Sequence, residues 1–269
     1  MTHPRLSVSE MCTYPWPFAD ELQLWEELGV QRVGVITAKL DAYGRDKAVA
    51  ALRERSIRAT TVITRCFDLS TRDTWNTTRA EINDAVELTA EMGGVCTYFT
   101  PGRRDGRSFD ELTASLAEAV EPCIEHAASH GVRLAIEPSL RTDVSYAHTL
   151  RDGLDIAEAA GINVIADLGN CWMERDYEQT VRQGGERIAA VQFADAVFGT
   201  SQEPPPGGRA VPGDGDLPIA SFLRAALDAG YAEPFELEMV GPKIEAEGHE
   251  AALRRGVERS SALLDEVLS

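Results

Sequence analysis

RLAIEPSLRTDVSYAHTLRDGLDIAEAAGINVIADLGN, residues 133–170, holds one complete unit of the fold. It opens on an apolar run (RLAIE, 133–137), passes through a loop and a helical segment closed by Gly161, and returns to a second apolar run (NVIAD, 163–167). Neither run alternates polar with apolar residues, which is the pattern of parallel strands buried on both faces. Both end on a carboxylate.

The same unit recurs on either side. Strand-like runs are predicted at 6–9, 32–36, 60–64, 95–99, 133–137, 163–167, 190–193 and 235–239, with helical segments between them. Strand and helix alternating eight times over predict a closed parallel (β/α)8 TIM barrel. Ser108 with Glu111 and Thr78 with Glu81 both fit the capping box, in which a hydroxyl and a carboxylate reciprocally satisfy free N–H groups at a helix start. Behind Ser108, Phe109, Leu112, Leu116, Val120, Cys123 and Ala127 recur at helical spacing as one buried stripe. Gly131 supplies the helix stop, and Gly29, Gly161 and Gly230 stand likewise before strands.

The length of 269 residues suits one such barrel, so residues 1–269 are expected to form a single domain. With 43% hydrophobic residues the chain can bury a large core, yet it has no apolar run long enough to span a bilayer. Its start lacks a basic stretch followed by an apolar one, so a cytoplasmic protein is expected. A net charge of −18 opposes binding to nucleic acid. The five cysteines, Cys12, Cys66, Cys96, Cys123 and Cys171, form no Cys-x-x-Cys pair, so they read as reduced thiols filling apolar space.

Barrels of this kind carry their chemistry at the C-terminal ends of the strands. There the sequence sets Glu137, Asp167, Gln192 and a choice between Glu236 and Glu238. A buried carboxylate needs a partner, and four oxygen donors converging on one divalent cation would supply it. Such hard donors favour Mg²⁺ or Mn²⁺. Salt bridges to Arg or Lys are the plainer account of any one of these residues; their recurrence on four consecutive strands favours the cation.

The order of these motifs resembles the sugar phosphate isomerase/epimerase group of xylose isomerase-like barrels, which includes hydroxypyruvate isomerase, tagatose 3-epimerase and inosose dehydratase. The resemblance runs over nearly the whole chain. Its most specific piece is GGRAVPGDGDLPIASFLRAALDAGY, residues 207–231, which is similar to the family's arginine, Pro-Gly-x-Gly turn and following helix.

The resemblance implies metal ligands Glu137, Asp167, Gln192 and Glu238. It implies that Glu137 and Glu238 also exchange a proton at the carbon beside a carbonyl, the cation stabilising the enediolate that forms. Glu238 is preferred to Glu236 by its likeness to the family's ending. Arg209 would steady a negative oxygen on the substrate. The chain departs from the family twice: Gln192 stands where His is commoner, and Asn170 where an Asp-x-x-His motif has its substrate-touching His.

Asn170, His148, Trp16 and Trp172 are further substrate-contact candidates. Tyr14, Trp16, Phe18, Trp75, Tyr98, Phe99 and Trp172 are expected around the catalytic face, with Phe99 the one most suited to plain barrel packing. His126 and His130, four residues apart at a helix end, have a spacing that binds zinc, but they precede strand five at the other end of the barrel and suit a helix C-terminus. The Pro/Gly-rich stretch 203–215 is expected as a substrate-serving loop.

The resulting expectation is an isomerase or epimerase of carbohydrate metabolism that depends on Mn or Mg. Its partner would be a small-molecule substrate, with neither nucleic acid nor membrane; assembly into a homo-oligomer is left open. A lyase on the same barrel, removing a proton and then a β-group such as water, is the alternative. Endonuclease IV shares the barrel but uses a His-rich zinc cluster and a basic face. A barrel that has lost its metal and only binds a ligand is the non-enzymatic reading, kept open by Gln192.

Overall fold

The computed structural model describes residues 1–197 and 208–269. Eight parallel strands close into a barrel: β1 (Leu6–Ser9), β2 (Arg32–Ile36), β3 (Arg58–Ile63), β4 (Cys96–Phe99), β5 (Arg133–Ile136), β6 (Asn163–Asp167), β7 (Ile188–Phe193) and β8 (Phe235–Leu237). Each pairs with its neighbour in sequence, and β8 returns to β1. All eight expected strands are present.

Around them, among the described residues, run α1 (Phe18–Leu28), α2 (Thr37–Tyr43), α3 (Arg45–Glu54), α4 (Trp75–Glu91), α5 (Phe109–Ser129), α6 (Leu150–Ala160), the single turn α7 (Leu168–Cys171), α8 (Tyr177–Gly184), α9 (Ile219–Asp228), α10 (Pro242–Glu247) and α11 (His249–Leu268). None is long and apolar enough to cross a membrane.

The Ser108 capping box forms as expected, Ser108 accepting from the Glu111 backbone and the Glu111 carboxylate from Ser108. The one at Thr78 does not. Helix α4 starts a turn earlier, at Trp75, so the Thr78 hydroxyl lies inside it and donates to the Thr74 carbonyl at 3.2 Å. A Ser/Thr-x-x-Glu pattern cannot by itself distinguish a helix start from its second turn. Gly29 and Gly161 cap α1 and α6 in the left-handed conformation.

The main core lies between barrel and helices, where outward residues such as Val33, Val62 and Leu134 meet Leu52, Ile82 and Leu116. A smaller apolar cluster includes Cys96, Tyr98, Ala135 and Ile165. By strand alternation, Ala135 and Ile165 share a face with Glu137 and Asp167 two residues further on. The carboxylates therefore stand above this inner cluster at the C-terminal rim.

Candidate metal centre

Strand register brings the polar side chains together. Asp167 pairs with Gln192, Gln192 with Glu236, and Glu236 with Ser7, on adjacent strands from β6 to β1. Parallel partners in register point to the same face, so these four polar residues share the barrel interior. Glu137 and Glu238 stand just past β5 and β8. Their backbone N–H groups still reach the neighbouring strands, donating to Phe99 and Phe193 at 2.9 Å each.

Glu137, Asp167 and Glu238 each offer an oxygen, and the three lie within 4.8 Å of one another. All three residues are buried. Asn170, also buried, ties two of them: its Nδ2 donates to Glu137 Oε1 at 2.9 Å and to Asp167 Oδ2 at 2.8 Å. It is placed there by α7, whose start Asp167 caps by accepting from the Gly169 N–H at 2.9 Å.

Arg209 is 1% exposed. Its guanidinium reaches Glu238 Oε1 at 3.1 Å and the Glu238 carbonyl at 2.9 Å, and a second nitrogen donates to Asp167 Oδ2. Gly169 makes this approach feasible, since a Cβ there would lie 2.6 Å from the guanidinium carbon. Arg209 Nε is buried without a hydrogen-bond partner among the described residues.

Three buried carboxylates facing one guanidinium leave the cluster short of positive charge. Burial, with Glu238 and Asp167 close by, pushes Glu137 well above the usual carboxylate range. Burial also raises Glu238, to about 7, against the lowering effect of Arg209.

Gln192 is fully buried, and its Nε2 lies 2.8 Å from Glu236 Oε1, 3.0 Å from Glu238 Oε2 and 3.0 Å from the Tyr98 hydroxyl. Turning the amide over would set its oxygen against two carboxylate oxygens, so the nitrogen belongs there. Its Oε1 is then buried with no hydrogen-bond partner among the described residues. A buried acceptor without a partner calls for a donor or cation that the described residues do not supply.

Glu236 sits two residues deeper on β8 than Glu238. It accepts from Thr61 Oγ1 at 2.6 Å and Ser7 Oγ at 3.3 Å as well as from Gln192. Glu238 also accepts from protein donors, but it is the one grouped with Glu137 and Asp167.

The remaining candidates have other surroundings. His148 Nδ1 is 2.8 Å from the Ser139 carbonyl, and its backbone N–H donates to Asp152 at 3.0 Å. Trp16 lines an open cavity of about 310 Å³ with Pro15, Pro17 and Glu250. Trp172 lines another of about 440 Å³ with Glu174, Tyr177 and Arg182. Neither cavity is lined by Glu137, Asp167, Gln192 or Glu238. Phe18 and Trp75 are core residues set edge-on to Trp25 and Phe67, Phe99 packs against Phe67 in the same way, and Tyr14 is exposed. The expected aromatic wall is thus largely core and outer surface.

Sequence reasoning missed Ser9, whose hydroxyl donates to Glu238 Oε2 at 3.2 Å, and Asp195. The alternation of Ser7 and Ser9 in LSVS was the available signal for the first. Asp195 accepts from the backbone of Ala196, Gly213, Gly215 and Leu217 at 2.8–3.0 Å, gathering the Pro-Gly-x-Gly turn that follows Arg209. Gly215 is needed there, because a Cβ would meet Asp195 Oδ1 at 2.3 Å. Of the loop expected at 203–215, the part before residue 208 lies outside the described residues.

Among solved structures, a Sinorhizobium meliloti 1021 protein matches with a TM-score of 0.85 at 22% identity, covering 97% of this chain and 98% of that one. The IolI protein, solved with a bound zinc atom, gives 0.85 at 16% identity and covers both chains fully, 100% of each. The 3-keto-D-glucoside 4-epimerase YcjR from E. coli gives 0.72 at 17% identity over 93% of this chain and 97% of its own. At these identities the likeness shows the shared fold. No curated protein matches the chain in sequence. The pattern of the xylose isomerase-like TIM barrel family does match, over residues 22–263, and this protein belongs to that family.

Proposed function

We propose that this protein is a divalent-metal-dependent isomerase or epimerase that moves a proton at a carbon beside a carbonyl of a sugar-like or hydroxy-ketone substrate. The observation that carries the reading is the buried cluster of Glu137, Asp167 and Glu238, with Gln192 on the neighbouring strand keeping an amide oxygen, Oε1, that has no partner among the described residues. These donors would hold the cation. All are oxygens, which favours Mn²⁺ or Mg²⁺. The zinc atom in the IolI structure makes metal identity a matter for direct measurement. When bound, the cation supplies Lewis-acid polarisation of the substrate carbonyl and so acidifies the adjacent C–H.

The chain's own groups then divide the work. Glu137 and Glu238 come from strands on different sides of the barrel mouth, so one can take a proton from carbon while the other returns one. Asn170 orients Glu137 and Asp167, and Ser9 orients Glu238. Arg209 neutralises part of the cluster through Asp167 and Glu238, and its unpartnered Nε is the donor left for a substrate oxygen. The shared fold of YcjR, a 3-keto-D-glucoside 4-epimerase, supports this class. A lyase would use the same base and cation and differ only in losing a β-group afterwards.

The test is a screen of ketoses and hydroxy-ketones with Mn²⁺ in D₂O. Deuterium at the carbon beside the carbonyl of recovered substrate or product supports proton transfer, and a product lighter by one water assigns the lyase. Turnover with no deuterium incorporated and no β-group lost would overturn both.

A further inference from the structure

A second group of metal-ligating side chains lies at the opposite end of the barrel. Helix α5 ends in His126 and His130, one turn apart on the same face, with ring centroids 4.5 Å apart. The adjacent helix α4 contributes Glu87, whose Oε1 is 3.3 Å from His126 Nε2. One ligand atom from each of the three lies within 4.8 Å of the other two.

Two details suit these imidazoles to a cation. His130 Nδ1 is 2.9 Å from the His126 carbonyl. A carbonyl only accepts, so Nδ1 carries the proton and Nε2 keeps its lone pair, the arrangement typical of metal-binding histidines. His126 Nε2 is buried and, beyond its 3.3 Å approach to Glu87 Oε1, has no hydrogen-bond partner among the described residues. Contact with the helix end explains His130 Nδ1 but not the approach of His126 Nε2 to Glu87. Glu87, separated from the histidine pair by a stretch of chain that includes β4, could not be associated with it from sequence spacing.

We propose that Glu87, His126 and His130 form a second metal site, for a late first-row transition cation of the Zn²⁺ or Cu²⁺ class. Two nitrogens and one carboxylate select such ions over Mg²⁺ and Ca²⁺, which prefer oxygen-only shells. Three protein ligands leave a tetrahedral ion one position for water or an outside donor. The bound ion would tie the last turn of α5 to α4. The two ends of the barrel would then sort different ions, oxygen donors within the strand ends and nitrogen donors on the outer helices.

The site is separated from the barrel centre by titrating Zn²⁺ into a Glu137→Ala/Asp167→Ala variant, followed by equilibrium dialysis. One bound equivalent is expected, with affinity falling at least ~10-fold when His126→Ala/His130→Ala is added. Absence of that equivalent, or its survival in the histidine variant, overturns the proposal. Should the background variant fail to fold, Cu²⁺ added to the unsubstituted protein serves instead. Its paramagnetic resonance should show coupling to two imidazole nitrogens that disappears in His126→Ala/His130→Ala; no such coupling, or coupling unchanged by the substitutions, overturns it.

Discussion

Glu238 meets a hydroxyl from Ser9, an amide from Gln192 and a guanidinium from Arg209, and it also faces two other carboxylates. Glu238→Gln keeps the shape of the side chain while removing both a proton acceptor and an anionic ligand. Turnover should fall by at least ~100-fold, with the circular dichroism of the folded protein unchanged; near-normal turnover would remove Glu238 from the mechanism. Gln192→His tests the orphaned oxygen: an imidazole is also a metal ligand, so metal content should be held. Loss of metal there would place Gln192 outside the ligand set. Glu137 and Asp167 were legible because each closes an apolar run, where a carboxylate is conspicuous; Glu238 was set apart from Glu236 only by its likeness to the family's ending. The buried course of Arg209 was not, because it depends on how a loop folds back over Gly169. Nor were buried Glu10 and Glu21 with half-buried Lys39, a group in which Lys39 pairs with Glu21 and Glu10 is pushed up to about 9 by burial and by Glu21. Those residues lie in ordinary-looking polar sequence.

Elements explain why the site residues stay in place. Register across β6, β7, β8 and β1 fixes the inward polar set, and a one-residue slip of any strand would turn its members outward. The strands were legible from apolar runs, with ends displaced by one or two residues: Glu137 and Glu238 continue the ladder beyond the regular ends of β5 and β8, while β3 and β7 begin earlier than expected, at Arg58 and Ile188. The single turn α7 and the Asp195-centred turn carry no such periodic signal. Asp195 is the clearest test of that turn. Asp195→Ala removes the acceptor for four backbone N–H groups and should cost about 3 kcal/mol or more in urea unfolding, since bonds to a charged acceptor contribute about 1.5–3 kcal/mol each. Asp195→Asn, which keeps one acceptor oxygen, should lose less. Equal stability in all three proteins would show that the turn is held by other means.

For the molecule as a whole, the barrel was legible from the count of eight units, while the outer grooves were not: the one at Trp16 brings Glu250 beside Pro15 and Pro17, and the one at Trp172 depends on how the chain from Trp172 to Arg182 folds on itself. The cluster also shapes the pH dependence of the whole fold. Glu137 and Glu238 bind protons more tightly folded than unfolded, because burial disfavours their charged forms. Their contribution is therefore full below the ordinary carboxylate value of 4.5 and is lost as pH rises through about 7 for Glu238. Metal-free protein should lose stability across that window, and less steeply so in Glu238→Gln. Added Mn²⁺, binding the ionised cluster, should raise the melting temperature more above the window than below it. A slope unchanged by Glu238→Gln, or a Mn²⁺ effect independent of pH, would contradict this.

Elemental analysis of protein purified without chelator, comparing the unsubstituted chain with Glu137→Ala/Asp167→Ala, tests the divalent-metal centre most directly. Near-stoichiometric Mn or Mg, lost in the double variant, is the predicted result. An unsubstituted protein that takes up neither metal, even after Mn²⁺ is added, would contradict it and leave a barrel that binds its ligand without metal.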